Sequence, residues 1–188
     1  MKGSWDDDRD PLSALRSGDP APFEDFVRTE VSTLVAFFTR QGADRAEAED
    51  LTQEVFLRLF RSAAQYDSRD RFSAYTWRVA RNAWIDRKRR RVPRGEGGDD
   101  EMPAGARDAV DPAEAPLEGL QRGEEAGRVH AALGRLSESH RLVFELGVLQ
   151  ELPYATISDL LEIPVGTVKS RMFHALRKLR ELLGDEPR

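Results

Sequence analysis

The sequence of 188 residues contains no cysteine and no long apolar run. Without cysteine there can be no disulfide framework, no cysteine-ligated zinc site and no thiol nucleophile, which fits a reducing cytosol. No stretch approaches the roughly 18 to 20 apolar residues that a membrane-spanning helix needs. The first ten residues carry four aspartates and no apolar run, unlike a signal peptide. We therefore expect a soluble, cytoplasmic protein without membrane insertion.

The sequence also lacks any segment in which apolar and polar residues alternate with period two, so no β-strand is predicted. Apolar residues recur instead at spacings of three and four, as on one face of a helix. In the first half this pattern predicts helices over 22–41, from 44 to about 64, and from Ser73, as an N-cap, to about Arg90. In the second half it predicts helical structure from 128 onward, then helices over 141–150, 153–161 and 165–183. The predicted fold class is all-α.

The net charge of −5 hides two segments of opposite charge. Residues 78–94 contain eight basic side chains and one acidic one, a net charge of +7. Residues 95–127 contain ten acidic and two basic side chains, a net charge of −8. Strong charge asymmetry within a chain indicates contact with nucleic acid through the basic part.

The acidic segment predicts the domain organisation. It is rich in proline and glycine and has almost no large apolar residues, so it cannot bury enough surface to offset its ordering entropy. We interpret 92–127 as a flexible acidic linker between two small helical domains, 11–91 and 128–183, with a disordered N-terminus (1–10) and a short tail (184–188). Its acids serve solubility, or alternatively shield the basic segment when DNA is absent.

The second domain has the layout of a helix-turn-helix. A short helix over 153–161 is followed by a break at 162–164 and a longer helix over 165–183. Residues 165–181 carry a net charge of +4. A basic helix of this kind fits the major groove of DNA, although a charge run alone is more often a solvated helix face.

Two other groups of residues in the first domain suggest surfaces. On the third predicted helix, aromatic residues alternate with arginines, and such a mixture suits single-stranded nucleic acid, because rings stack on unpaired bases. The alternative is that these rings are core residues. The second helix carries a polar face of Asp50, Gln53, Glu54 and Arg58, which is either plain solvated surface or a pair of carboxylates for acid–base catalysis or a metal site. We expect no catalytic residue, cofactor, metal site or small-molecule substrate, because no nucleophile accompanies its carboxylates and the three histidines lack metal-like spacing.

Three motifs in order resemble the extracytoplasmic-function group of the sigma-70 family. They are the run from Ala48 to Arg58, the segment from Phe72 to Arg90 with its Arg81-Asn82 pair, and the run from Pro164 to Arg171. The resemblance covers nearly the whole chain apart from the N-terminus and the linker. It implies a sigma factor that binds core RNA polymerase and directs promoter recognition, melting of the −10 element and transcription initiation.

The resemblance also implies roles for particular residues. Docking on a coiled coil of the largest polymerase subunit is carried over to Asp50, Leu51, Gln53, Glu54, Phe56 and Arg58. Contacts with the −10 element are carried over to Phe72, Tyr75, Trp77, Arg78, Arg81, Asn82, Arg87 and Arg90. Contacts with the −35 element are carried over to Thr167, Lys169, Ser170, Arg171, His174, Arg177 and Lys178. Further expected partners are the polymerase flap region, promoter DNA and an anti-sigma factor, and the linker would run near the active centre and RNA exit path.

The sequence departs from the usual pattern of this group at a few positions. Tyr75 and Thr76 stand where tryptophan and leucine are common, Glu162 occupies a turn position often held by glycine, and His174 stands where arginine is common. Two other functions fit the helix-turn-helix less completely. An operator-binding regulator independent of polymerase would leave the aromatic and arginine-rich helix unexplained. A scaffold or anti-sigma partner without a DNA role conflicts with the basic last helix.

Overall fold

The computed structural model describes residues 10–67, 71–91 and 127–184, which are helical with no strand. The expected disordered N-terminus up to residue 9, the linker up to residue 126 and the tail from residue 185 lie outside these ranges. The all-α prediction is confirmed. The helices are α1 (Pro11–Arg16), α2 (Ala21–Gln41), α3 (Arg45–Ser62) with a following 3₁₀ turn (Ala63–Gln65), α4 (Phe72–Arg91), α5 (127–134), α6 (Glu138–Phe144) continued by a π-helical turn (Glu145–Leu149), α7 (Tyr154–Leu161) and α8 (Val165–Leu183).

The helix ends follow local chemistry. Asp44 caps α3 by accepting the backbone N–H of Glu47 at 2.9 Å, as expected for an N-cap aspartate. The prediction of Ser73 as an N-cap is wrong, because α4 already includes Phe72 and Ser73 is buried within the first turn. Helix α1 was not predicted, since its six residues are too few to show a periodic pattern. Asp10, assigned to the disordered N-terminus, caps it by accepting two backbone N–H groups.

Large aromatic side chains fill the core of the first domain. Phe26 lies edge-on to Phe72 with ring centroids 4.8 Å apart, and Phe37 packs on Trp77 at 5.0 Å. All four residues are at most 1% exposed. Aromatic pairs in these arrangements add to the free energy gained by burying apolar area. The core thereby fixes α4 against α2 and α3.

Aliphatic side chains form the core of the second domain, where α7 and α8 pack on α6 and its π-helical turn. Gly147 lies in that turn, and a Cβ there would come within 2.5 Å of Met172 Cε. A side chain at residue 147 would therefore require the end of the Met172 side chain to move. Between α7 and α8, Ser158 donates its hydroxyl to the carbonyl of Ile163 at 2.5 Å, and Glu162 adopts a left-handed conformation with φ of 56°. These two features form the tight turn of the helix-turn-helix.

Candidate nucleic-acid interfaces

The polar face of α3 consists of Asp50, Gln53, Glu54 and Arg58. Asp50 and Gln53 are exposed. Arg58 donates to Glu54 at 2.5 Å and to Asp86 of α4 at 3.1 Å. Burial lowers the pKa of Arg58, but the hydrogen bonds that Arg58 donates to these two carboxylates, together with their negative charge, outweigh burial and raise the pKa above its ordinary value. Arg58 is therefore held against α4.

Two of the predicted docking residues lie beneath this face. Leu51 is 1% exposed, and Phe56 is half-buried with its ring edge-on to Phe26 at 5.7 Å. Sequence reasoning did not select Leu57 and Phe60, which are 52% and 55% exposed on the same helix. Leu57 could have been found from the sequence, because it is an apolar residue that lies off the buried stripe of an amphipathic helix.

The predicted −10 residues of α4 divide into buried and accessible groups. Phe72 and Trp77 are core residues in this structure, as the alternative interpretation of the aromatics held, and Tyr75 is half-buried against Tyr66 at a centroid distance of 5.2 Å. The remaining residues are exposed or half-buried, but they do not share one side of the helix, because Arg87 continues the buried stripe and binds Glu47 of α3. The basic face of α4 consists of Arg78, Arg81 and Asn82 on the side away from that stripe, and Arg87 and Arg90 lie apart from it.

A buried carboxylate binds two arginines at the end of α4. The side chain of Glu47 on α3 is 2% exposed and accepts from Arg87 Nε and Arg91 Nη2, each at 2.7 Å. The hydrogen bond to Glu47 is the main cause that raises the pKa of Arg87. Two arginines are thereby positioned with their guanidinium groups partly in solvent.

Helix α8 presents most of its predicted contact residues on one exposed side. Val168, Met172, Ala175 and Leu179 are buried on the opposite side. Thr167 and Arg171 on the outer side are half-buried, and the other predicted residues there are exposed. The full predicted set on this side is Thr167, Lys169, Ser170, Arg171, His174, Arg177 and Lys178. The helix therefore has the two faces that a groove-binding helix requires.

Three residues near α8 were missed by sequence reasoning. Phe173 is 62% exposed, and its ring lies 6.0 Å from the Arg177 guanidinium. Arg135 and His140 line a cavity of about 280 Å³ together with His174 and Arg177. Phe173 is an apolar residue off the buried stripe, a signal that the sequence did contain. Arg135 and His140 join the face only through packing of α6 on α8.

A histidine pair marks this junction. The ring centroids of His140 and His174 are 5.9 Å apart. Partial burial lowers the pKa of His140, with further contributions from the nearby His174 and Arg171. The fold thus favours a neutral ring at position 140.

Within the described part of the chain, no helix is apolar over the length that a bilayer crossing requires. The same residues contain no cluster of histidine, aspartate and glutamate suited to holding a metal ion.

Comparison with known proteins identifies both domains. Residues 26–93 match the family model of sigma-70 region 2, and residues 126–179 match that of sigma-70 region 4. The ECF RNA polymerase sigma factor SigK of Mycobacterium tuberculosis is 33% identical over 175 residues, covering 92% of this chain and 91% of that protein. The ECF RNA polymerase sigma factor SigW of Bacillus subtilis is 28% identical over 178 residues, covering 93% and 95%.

Solved structures share the fold. CnrH, in complex with the cytosolic domain of CnrY, is 22% identical with a TM-score of 0.67, covering 95% of this chain and 99% of that one. The sigma factor RpoE, in complex with the anti-sigma factor NepR from Bartonella quintana, is 23% identical with a TM-score of 0.66, covering 87% and 98%. The family models, together with a relative that is 33% identical along nearly the whole chain, show that this protein belongs to the extracytoplasmic-function group of the sigma-70 family.

Proposed function

We propose that the two domains divide the work of a sigma factor in the cytoplasm: residues 11–91 bind core polymerase and the −10 element, and residues 128–183 bind the −35 element and the polymerase flap region. The observation that carries this proposal is the separation of three surfaces onto three helices. The polar face lies on α3, one basic face on α4 and the other on α8. A regulator that binds only operator DNA needs just one of them.

The polar face of α3 suits a protein partner. Its exposed groups, Asp50 and Gln53, are acidic and amide side chains that lie beside the exposed apolar Leu57. Protein interfaces combine such apolar contacts with a polar rim. We propose that this face docks on the coiled coil of the largest polymerase subunit.

The basic face of α4 suits unpaired promoter DNA. Arg78 and Arg81 can hold phosphates, and Asn82 is an exposed amide suited to base edges. Tyr75, half-buried beside this face, is the predicted aromatic residue that retains access to a base. Phe72 and Trp77 support the helix from within.

The outer face of α8 suits duplex DNA. Lys169 and Arg171 lie near its N-terminal end, where recognition helices contact base edges, and Arg177 and Lys178 lie farther along, where phosphate contacts are expected. The exposed ring of Phe173 can contact a thymine methyl group. In this proposal the segment 92–127 runs near the active centre, and an anti-sigma factor is a further partner, as for the structural neighbour RpoE. The protein acts as an initiation factor and not as an enzyme.

Docking and melting should be separable by mutation, because they use different helices. We expect Asp50→Lys to reduce capture of core polymerase. Asp25→Lys makes the same charge change at an exposed position of α2 and should leave capture unchanged. The Arg81→Ala and Asn82→Ala variants should bind core polymerase normally but open the −10 region less, as measured by permanganate reactivity of unpaired thymines.

Tight, sequence-specific DNA binding by the free protein, unaffected by core polymerase, would instead support the operator-binding alternative. Loss of folding in every variant, measured by thermal denaturation, would show that the faces are structural.

A further inference from the structure

A cationic cavity lies within the second domain, between the start of α6 and the outer side of α8. Its volume is about 280 Å³, close to the lower end of the volumes that small-ligand sites have. Most of its lining side chains are hydrogen-bond donors. These are Arg135, Ser137, His140, His174, Arg177 and Lys178. The cavity therefore offers polar groups from two different helices to one small space.

The cavity carries an excess of positive charge. Arg135, Arg177 and Lys178 are exposed cations. Among the described residues, the acid paired with two of them is Glu181, which lies 3.9 Å from Arg177 Nε and 3.3 Å from Lys178 Nζ. With both histidines neutral, these four charged groups have a net charge of +2. Cations that converge in a concave surface attract an anion.

A serine fixes one of the two imidazole rings. Ser137 caps α6 by accepting the backbone N–H of His140, and its Oγ also lies 2.9 Å from Nδ1 of the same residue. The contact occupies Nδ1 and leaves Nε2 as the ring nitrogen available to a ligand. His174 lies beside this ring, with a centroid distance of 5.9 Å.

The charges around His140 disfavour its protonated form. Partial burial lowers its pKa, and His174 and Arg171 of α8 lower it further. The acid on the same helix, Glu138, pairs with Lys88 of α4. An anion in the cavity would favour the protonated ring, because opposite charges stabilise each other. Protonation of His140 and binding of an anion should therefore promote each other.

The donor set and the charge select the class of anion. Guanidinium, ammonium, imidazole and hydroxyl groups all donate to phosphate oxygens. A phosphodiester of the DNA backbone carries one negative charge, whereas a terminal phosphate carries nearly two at pH 7 and a diphosphate carries more. A cavity with a net charge of +2 and two further groups that can be protonated matches the more highly charged, free form.

We infer that this cavity binds a free phosphate compound with two or more negative charges, of the diphosphate class, carried by inorganic pyrophosphate or by a nucleotide. His174, Arg177 and Lys178 also belong to the face of α8 that is proposed to contact the −35 element. An occupied cavity should therefore compete with promoter duplex. This competition rests on the proposed function, whereas the site itself does not.

Proton NMR of the histidine rings of the full chain tests the site. The chain has three histidines, which single His→Gln variants assign. Inorganic pyrophosphate, added at constant ionic strength, should shift the ring signals of His140 and His174 and raise the pKa of His140. The signal of His130, which does not line the cavity, should stay in place. ADP carries the same diphosphate on a nucleoside, so the tighter of the two ligands identifies the form that the site prefers.

Two matched substitutions locate the binding. We expect Arg135→Gln to weaken pyrophosphate binding about tenfold or more, because it removes a charge-assisted hydrogen bond. Arg180→Gln removes the same charge from an exposed position of α8 outside the cavity and should change the Kd less than about twofold, since salt screens exposed charges. Both positions are exposed, so both variants should melt like wild type.

General attraction of anions to a basic surface predicts different results. Equal weakening by Arg135→Gln and Arg180→Gln, or equal shifts of all three histidines, would overturn the site. Dimethyl phosphate, a singly charged mimic of the DNA backbone, should leave the ring signals unchanged. Shifts as large as those with pyrophosphate would make the cavity a backbone contact and would refute the assignment to a free ligand.

Competition with DNA is measured on the holoenzyme. Pyrophosphate should weaken binding of a promoter duplex more for wild type than for Arg135→Gln, a comparison that cancels any effect of pyrophosphate on polymerase itself. Equal weakening in the two proteins would overturn the competition. Failure of the holoenzyme to bind promoter DNA specifically would refute the proposed function while leaving the NMR measurement on the free protein intact.

Discussion

The two domains carry positive charge in different ways. In the first domain, ion pairs join α3 and α4. Arg87 and Arg91 of α4 bind Glu47 of α3, and Arg58 of α3 binds Asp86 of α4. In the second domain the cations of α8 lie on an open helix face, where Glu181 is the partner of both Arg177 and Lys178 at 3.9 and 3.3 Å. Internal ion pairs hold side chains in one geometry, whereas exposed ones contribute little and leave side chains adaptable.

The cores of the two domains also differ, in the kind of side chain that fills them. Rings such as Phe37 and Trp77 fill the first core, whereas Val143, Leu146 and Ile157 are typical of the second. The comparison suggests a rigid platform for α4 and a small support for α8. Under the proposed function, rigid placement suits a helix that holds DNA in an unpaired form, and an adaptable face suits a helix that reads a groove.

The largest expected effect comes from the aromatic core. Trp77 is 0% exposed, so Trp77→Ala should lower the free energy of unfolding of the first domain by about 3–5 kcal/mol. Chemical denaturation of the full chain measures the change. Leu57→Ala, at an exposed position of α3, is the control and should cost less than about 1 kcal/mol. A Trp77→Ala variant as stable as that control would show that the first core does not depend on its rings.

Variants along α8 should distinguish contacts with bases from contacts with phosphates. We expect Lys169→Ala to change which −35 sequences are accepted, by about 1–3 kcal/mol for a bidentate base contact. Arg177→Ala should weaken all sequences alike and make the salt slope of log K shallower by about 0.9. Binding of holoenzyme to a library of −35 variants at several salt concentrations measures both. A uniform loss for both variants would place specificity elsewhere.

The ion pairs of Glu47 should matter for stability. Glu47→Gln keeps the shape of the side chain but removes its charge opposite Arg87 and Arg91. We expect a loss of about 1–3 kcal/mol, below the full cost of breaking a buried pair because both arginines are partly solvated. Glu49→Gln, which breaks an exposed pair with Arg45, should change stability by less than about 0.5 kcal/mol. Equal effects in urea denaturation would show that the buried carboxylate of Glu47 stabilises the first domain no more than an exposed ion pair does.

The smallest expected effect is a pH dependence in the second domain. Because the pKa of His140 is lowered in the folded state, the unfolded chain takes up its proton first as the pH falls below about 6.5. Stability should therefore decrease from pH 7 to pH 5. Thermal melts of wild type and His140→Gln should show a weaker pH dependence in the variant. His130→Gln removes the other histidine whose pKa burial lowers and should leave the contribution of His140 in place. Identical profiles for wild type and His140→Gln would contradict this assignment.

Much of the fold could be predicted from sequence because helices are local. The stripe of Val168, Met172 and Leu179 recurs with the helical period, so both the length of α8 and its outer face followed from the chain alone. The same reasoning could not separate core rings from contact rings on α4. Phe72, Tyr75 and Trp77 are close in sequence, and only their packing against α2, α3 and the turn after α3 makes two of them core and leaves the third half-exposed.

By itself the sequence determined the all-α class, most helix positions, the order of the three motifs and the basic character of α4 and α8. These properties depend on periodicity and charge, which a linear chain displays directly. The tertiary structure alone decided that Glu47 organises Arg87 and Arg91, that His140 meets His174, and that Arg40 binds Glu145 from 105 residues away. Such contacts join residues whose separation along the chain carries no periodic signal, so they exist only once the helices have packed.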